Sequence, residues 1–155
     1  GTSLFFGDPA RPEMLRAAQA DKAEVFVIAT DDPETNIRTA RLIRRQYPHL
    51  KIVARARNRQ HAFRLMDIGV EDPVRETFYS SLEMTRHVLE SLDMPEDVVE
   101  SRIARFRKLD DQTLRAQYLV YDDEAALVQT SKEALHDLQQ LFEADAAEER
   151  ERTEK

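Results

Sequence analysis

The stretch that decides the fold is Glu24 to Asn36, EVFVIATDDPETN. Val25, Phe26, Val27, Ile28 and Ala29 form an unbroken apolar run, the pattern of a central strand buried on both faces of a parallel sheet. Asp31 and Asp32 follow with oxygens suited to capping a helix, and Pro33 stands where a first-turn proline sacrifices no hydrogen bond. A helix is therefore expected to start here. A strand running into a helix N-terminus is where α/β proteins place ligands, because free backbone N–H groups converge beyond the strand's carboxyl end.

Upstream, Ser3 to Phe6 reads as a short strand broken by Gly7-Asp8-Pro9, and Arg11 to Ala18 as a short helix with Met14, Leu15 and Ala18 inward. Downstream, the helix from Pro33 to about Tyr47 places Ile37, Ala40, Ile43 and Tyr47 on one face, and Pro48 stops it. Lys51 to Ala56 is a further strand. Arg59 to Asp67 is a helix closed by Gly69, which suits a left-handed cap, and Val70 would begin one more short strand. The strand-helix alternation predicts an α/β fold with parallel strands.

After Pro73 the pattern becomes helical. Phe78, Leu82, Thr85, Leu89 and Leu92 form one stripe, and Met84 and Val88 widen it into a second apolar face. Both faces could pack within one subunit; the reading favoured is that one docks on the chain's own sheet and the other on a partner. Asp93 or Pro95 restarts a helix with Val99, Ile103 and Phe106 inward and Arg102, Arg105, Arg107 and Lys108 outward. A last helix from about Asp123 to Phe142 carries Val128, Leu135, Leu138 and Phe142, and the tail EADAAEERERTEK beyond it reads as a solvated helix end or as disorder.

Composition narrows the class. The chain has 155 residues, enough for one domain with an appendage, and its net charge of -7 argues against nucleic acid as a partner. Arg55, Arg57, Arg59 and Arg64 nevertheless cluster locally, as an anion contact or as a solvated helix start. With no cysteine there is neither a disulfide nor a thiolate metal site. A mean hydropathy of -0.61 and the absence of a long apolar run predict a soluble chain. His49, His61, His87 and His136 fall in separate elements without metal-ligand spacing, and Ser80 and Ser81 lack the setting of a nucleophile elbow. No catalytic residue is expected. Asp31 and Asp32 read as helix caps, and Glu71 and Asp72 as turn residues before Pro73. Asp8 follows Gly7 after a strand, where dinucleotide folds meet an adenine ring, although Gly-Asp is also a common turn. The only glycines are Gly1, Gly7 and Gly69, so no Gly-x-Gly-x-x-Gly phosphate cradle occurs in this sequence.

FFGDP, ATDDPETN, PHLKIVARAR, GVEDPVRET, LESL and ARFRKLD arrive in this order. Together they resemble the cytosolic nucleotide-binding regulatory domain (the KTN or RCK type) of Kef-type glutathione-gated potassium efflux systems. The likeness runs from about Ser3 to Leu114, and Leu-Asp in the last motif is nearer the KefB branch than KefC. The resemblance implies a partial Rossmann-like parallel sheet of about three to four strands followed by C-terminal helices. It further implies AMP or NAD(H) in the Rossmann cleft, glutathione as regulatory ligand near a homodimer interface, and no hydride transfer. The implied setting is the cytoplasmic face of a bacterial inner membrane, where the domain controls the membrane antiporter domain of the same parent chain, with an ancillary oxidoreductase subunit as a further partner.

Carried over by position, Gly7, Asp8, Thr30 and Asp31 match the nucleotide cleft, and Arg75 matches an arginine that meets a glutathione carboxylate. The plainer reading of Arg75 pairs it with Glu71 or Glu76 at a helix start. Asp110 stands where a KefC-like sequence has asparagine, and Asn58 where it has aspartate. The expected divisions are 1–73 as a partial nucleotide-binding domain, 74–142 as a helical dimerisation and regulatory extension, and 143–155 as a charged tail. In the strand order 3-2-1-4-5-6, Ser3 to Phe6 corresponds to strand 3 and Val25 to Ala29 to strand 4. The expectation is thus a fragment without its first βαβ unit and with low nucleotide affinity. Two alternatives stand beside this reading: the regulatory domain of a potassium channel or Trk-type uptake system, and a fragment of an NAD-dependent dehydrogenase.

Overall fold

The structure, a computed structural model, describes residues 8–153. The chain divides into two compact units, Gly1–Tyr79 and Ser80–Lys155. Gly7 and the expected strand at Ser3 to Phe6 lie outside the described residues.

The first unit begins with α1 (Pro12–Ala17) and a single 3-10 turn at Ala20–Lys22, and then alternates β1 (Val25–Ile28), α2 (Pro33–Gln46), β2 (Lys51–Ala56), α3 (Arg59–Met66) and β3 (Val74–Arg75). The strands form a parallel sheet in the order β1-β2-β3, with Val25 opposite Lys51 and Ala56 opposite Arg75. Ile37, Ala40 and Ile43 of α2 and Ala62 and Leu65 of α3 are buried with Ile28, Ile52, Ala54 and Ala56 of the strands. This packing follows from apolar residues recurring at helical spacing against alternate strand positions. Arg44 ties the far end of the unit by donating to the carbonyls of Ile68 and Gly69 at 3.1 and 3.0 Å. Gly69 has φ +87°, a conformation open to glycine at little cost.

Four expectations change. β1 is an edge strand among the described residues, not a central one, and it is not covered on both faces: Val25 and Val27 remain 48% and 65% exposed. Val53 and Val74 share that open face, since α2 and α3 cover only the opposite one. Ala18 is exposed instead of inward. Val70 is buried in a turn, and the third strand comes four residues later, so Arg75 lies in β3 rather than on a helix.

The second unit is helical. α4 (Phe78–Ser91) carries no buried residue and leaves Met84 and Val88 exposed, as is Leu92 just beyond its end. Asp93, at φ +58°, turns the chain, and Pro95 caps α5 (Glu96–Tyr118), whose Val99 and Leu114 are buried. Asp123 accepts from the Ala126 N–H at 3.1 Å and opens α6 (Glu124–Thr153). That helix continues through the charged tail as far as Thr153, and Val128, Leu135 and Phe142 are exposed on it. No helix among the described residues is long and apolar enough to cross a membrane.

Candidate functional site

The carboxyl ends of β1, β2 and β3 lie side by side because the strands are parallel and adjacent. Three loops therefore meet there: Thr30 to Asp32, Arg57 to Asn58, and Glu76 to Thr77. Each is held by a side chain that the fold places below or beside it.

In the first loop Asn36, buried one turn into α2, donates from Nδ2 to the Thr30 carbonyl at 3.0 Å, and the Thr30 hydroxyl donates back to Asn36 Oδ1. Asp32 is the N-cap of α2: its carboxylate accepts from the Thr35 N–H at 2.8 Å and from the Thr35 hydroxyl. Those hydrogen bonds hold its carboxyl below the usual range, by favouring the charged form. Asp31 is not a cap. It reaches sideways to Arg55 of β2 at 2.5 Å, and Arg55 also approaches Glu76 beyond β3 at 3.9 Å. One guanidinium thus spans the ends of all three strands.

In the second loop Asn58 caps α3 by accepting from the His61 N–H at 2.8 Å. An aspartate would cap equally well, so the exchange of aspartate for asparagine at this position is neutral for the helix. His61 is buried, and its Nδ1 accepts from the Arg57 N–H at 3.1 Å, which makes the ring a neutral Nε2–H tautomer. Burial first, and Arg64 second, keep the imidazole below its ordinary 6.5. Arg64 forks onto Glu34 at 2.5 and 2.8 Å, joining α3 to the start of α2, and this pairing lowers the Glu34 carboxyl. Of the basic cluster, Arg55 and Arg64 are therefore turned toward carboxylates of the chain itself.

Arg75, half-buried in β3, lies over the Phe78 ring at 3.9 Å, a cation–π contact that fixes the guanidinium at the head of α4. Its strand neighbour Ala56 is two residues before Asn58, so Arg75 and Asn58 belong to the same row of strand ends. Asp8 closes a local turn by accepting from the Ala10 N–H at 2.9 Å and is exposed. Asp110 is half-buried on α5, in the other unit. Asn36, His61 and the Arg55 bridge carry no role in the sequence reading. The signal for Asn36 and His61 was a lone polar residue on an otherwise apolar helical face, beside Ile37 and Ala40 in one case and Ala62 and Leu65 in the other.

The row of loops above two helix N-termini suits an anionic or nucleotide ligand, and comparison with known proteins points the same way. Residues 1–76 match the TrkA-N domain family, and residues 80–155 match the family described as the potassium efflux system KefB C-terminal domain. The chain is 37% identical over 145 residues to the glutathione-regulated potassium-efflux system protein KefC of Escherichia coli O139:H28 (strain E24377A / ETEC), and to that of Shigella boydii serotype 18 (strain CDC 3083-94 / BS512). Those matches cover 94% of this chain and 23% of each relative, so the chain spans about a quarter of their length. The solved structure of the Shewanella denitrificans Kef CTD in its AMP-bound form is 36% identical, with a TM-score of 0.72, over 75% of this chain and 73% of that one. The chain belongs to the family of Kef C-terminal domains.

Proposed function

We propose that this chain is a ligand-sensing regulatory domain of a glutathione-gated potassium/proton antiporter and that it has no catalytic activity of its own. Glutathione or its adducts would set the state of the domain, and the change would pass to the antiporter domain by population shift. The observation that carries this reading is Arg75. It stands in the GVEDPVRET motif at the carboxyl end of β3, with its guanidinium held over Phe78 and its fork suited to a carboxylate. Asn58 at the neighbouring strand end and Asp110 on α5 are the further proposed glutathione contacts; Asp110 would accept from the ligand's ammonium group.

AMP or NAD(H) would sit over the loops of β1 and β2, against Asp8, Thr30 and Asp31, with Gly7 in the same proposed cleft. The TrkA-N match over residues 1–76 and the AMP-bound relative support this nucleotide reading. Homodimerisation through the helices after residue 73, an ancillary oxidoreductase and a place at the cytoplasmic face of the membrane complete the proposal. The exposed Met84 and Val88 on α4, with Leu92 just beyond its end, support the dimer. The TrkA-N match also favours a second reading, in which a nucleotide alone regulates, as in channel or Trk-type systems.

The test is the melting temperature of the 155-residue chain titrated with glutathione. The expected result is a rise that Arg75→Ala abolishes and Arg75→Lys only partly restores. An equal rise in Arg75→Ala refutes the anion contact. A response to AMP without any response to glutathione supports the second reading.

A further inference from the structure

The last eleven described residues of α6, EADAAEERERT (143–153), contain no apolar side chain larger than alanine. Hydrophobic burial is therefore too weak to hold this segment on α5. Charge does so instead. Arg102 and Arg105, expected from their sequence positions to face solvent, are 16% and 30% exposed and turn onto the tail. Arg105 forks onto Glu148 at 2.9 and 3.0 Å and reaches Asp145 at 2.8 Å. Arg102 donates to the Asp145 carbonyl and to Glu149, each at 3.1 Å, and Arg152 of α6 returns the pattern by approaching Asp97 at 3.4 Å. The pairing runs antiparallel along the hairpin: late α6 residues meet early α5 residues. It also holds the Glu148 carboxyl below its usual range, chiefly through the Arg105 hydrogen bonds.

We propose that residues 143–153 form an ionic strap whose hold on α5 is set by monovalent salt, docked at low ionic strength and released at high. The ranking of contacts follows from exposure. Glu148, Glu149 and Arg152 are about 60% exposed, so their pairs are screened first. Asp145 is 13% exposed and shared by both arginines, so it is the last to let go. Release frees one end of an apolar groove of about 380 Å³ between the three helices, where Leu82, Leu89, Ile103 and Phe106 line the walls and Asp145 and Glu149 the rim.

Amide hydrogen exchange of the 155-residue chain at about 0.05 and about 0.5 M KCl reads it, because the Debye length falls severalfold over that range. Exchange in 143–153 is expected to accelerate about threefold or more with salt, while α2 is unchanged and sorbitol of equal osmolality has no effect. Arg105→Gln should exchange quickly at low salt and lose most of the salt response, and Arg105→Lys, which keeps a cation against Asp145 and Glu148, should retain the response with weaker protection. Salt-independent exchange in 143–153 overturns the proposal. So does a full salt response in Arg105→Gln, or acceleration that runs in parallel through α2.

Discussion

Asn36→Ala tests whether a single buried amide organises the loop at the end of β1. Asn36 is 2% exposed and donates to the Thr30 carbonyl at 3.0 Å, while the Thr30 hydroxyl donates to it. Removing the amide deletes both bonds and leaves a partly buried carbonyl with one partner fewer, at a cost of about 1–3 kcal/mol. Thr30 is exposed and water can reach its carbonyl, which places the hydrogen-bond loss near the low end. The packing atoms lost from a closed site add to it, for a total of about 2 kcal/mol. Asn36→Asp should cost more, about 3 kcal/mol, because it keeps the acceptor for the hydroxyl but buries a charge beside a carbonyl.

The chain contains no tryptophan, so amide exchange at the buried α2 and β2 positions is the suitable assay, and it reports the first unit by itself. Thr30→Ala in the same background separates the hydroxyl contact, and its coupling to Asn36→Ala should be well below the full loss, since the carbonyl bond survives in it. A loss under about 0.5 kcal/mol in Asn36→Ala would refute the reasoning, because it would mean the loop holds its shape without the amide.

Two further perturbations probe the second loop. Native His61 resists protonation and the unfolded chain titrates near the ordinary 6.5, so its contribution to stability is complete above about pH 6.5 and declines as pH falls below that. Chemical denaturation from about pH 7.5 to about pH 5.5 should show this fall in the natural chain and a flatter profile in His61→Asn; identical profiles would remove His61 as the cause. Asn58→Ala should destabilise α3 by about 1 kcal/mol and Asn58→Asp by far less, read from exchange at the α3 amides. If both variants lose glutathione binding while Asn58→Asp keeps the cap, the side chain acts on the ligand and not only on the helix.

The α/β class and the positions of α2, β2, α3 and α4 were legible in the sequence because they rest on local periodicity and on punctuation at Pro33, Pro48 and Gly69, which act within a few residues. The motif singled out Arg75 as a proposed ligand contact, but its place in a strand was not legible: a two-residue β3 has no period of its own and exists only because β2 offers it a ladder.

Tertiary structure alone decided what covers each face. The run Val25 to Ala29 looks the same whether one layer of helices packs on the sheet or two, and here the described residues supply one. It also separated Asp31 from Asp32, adjacent carboxylates of which one caps a helix and the other reaches Arg55 on the next strand. Likewise Arg102 and Arg105 looked solvated from the sequence because the carboxylates that cover them lie about 40 residues away. Local propensity is written along the chain, whereas covering layers and long-range charge pairs depend on which segments the fold brings together.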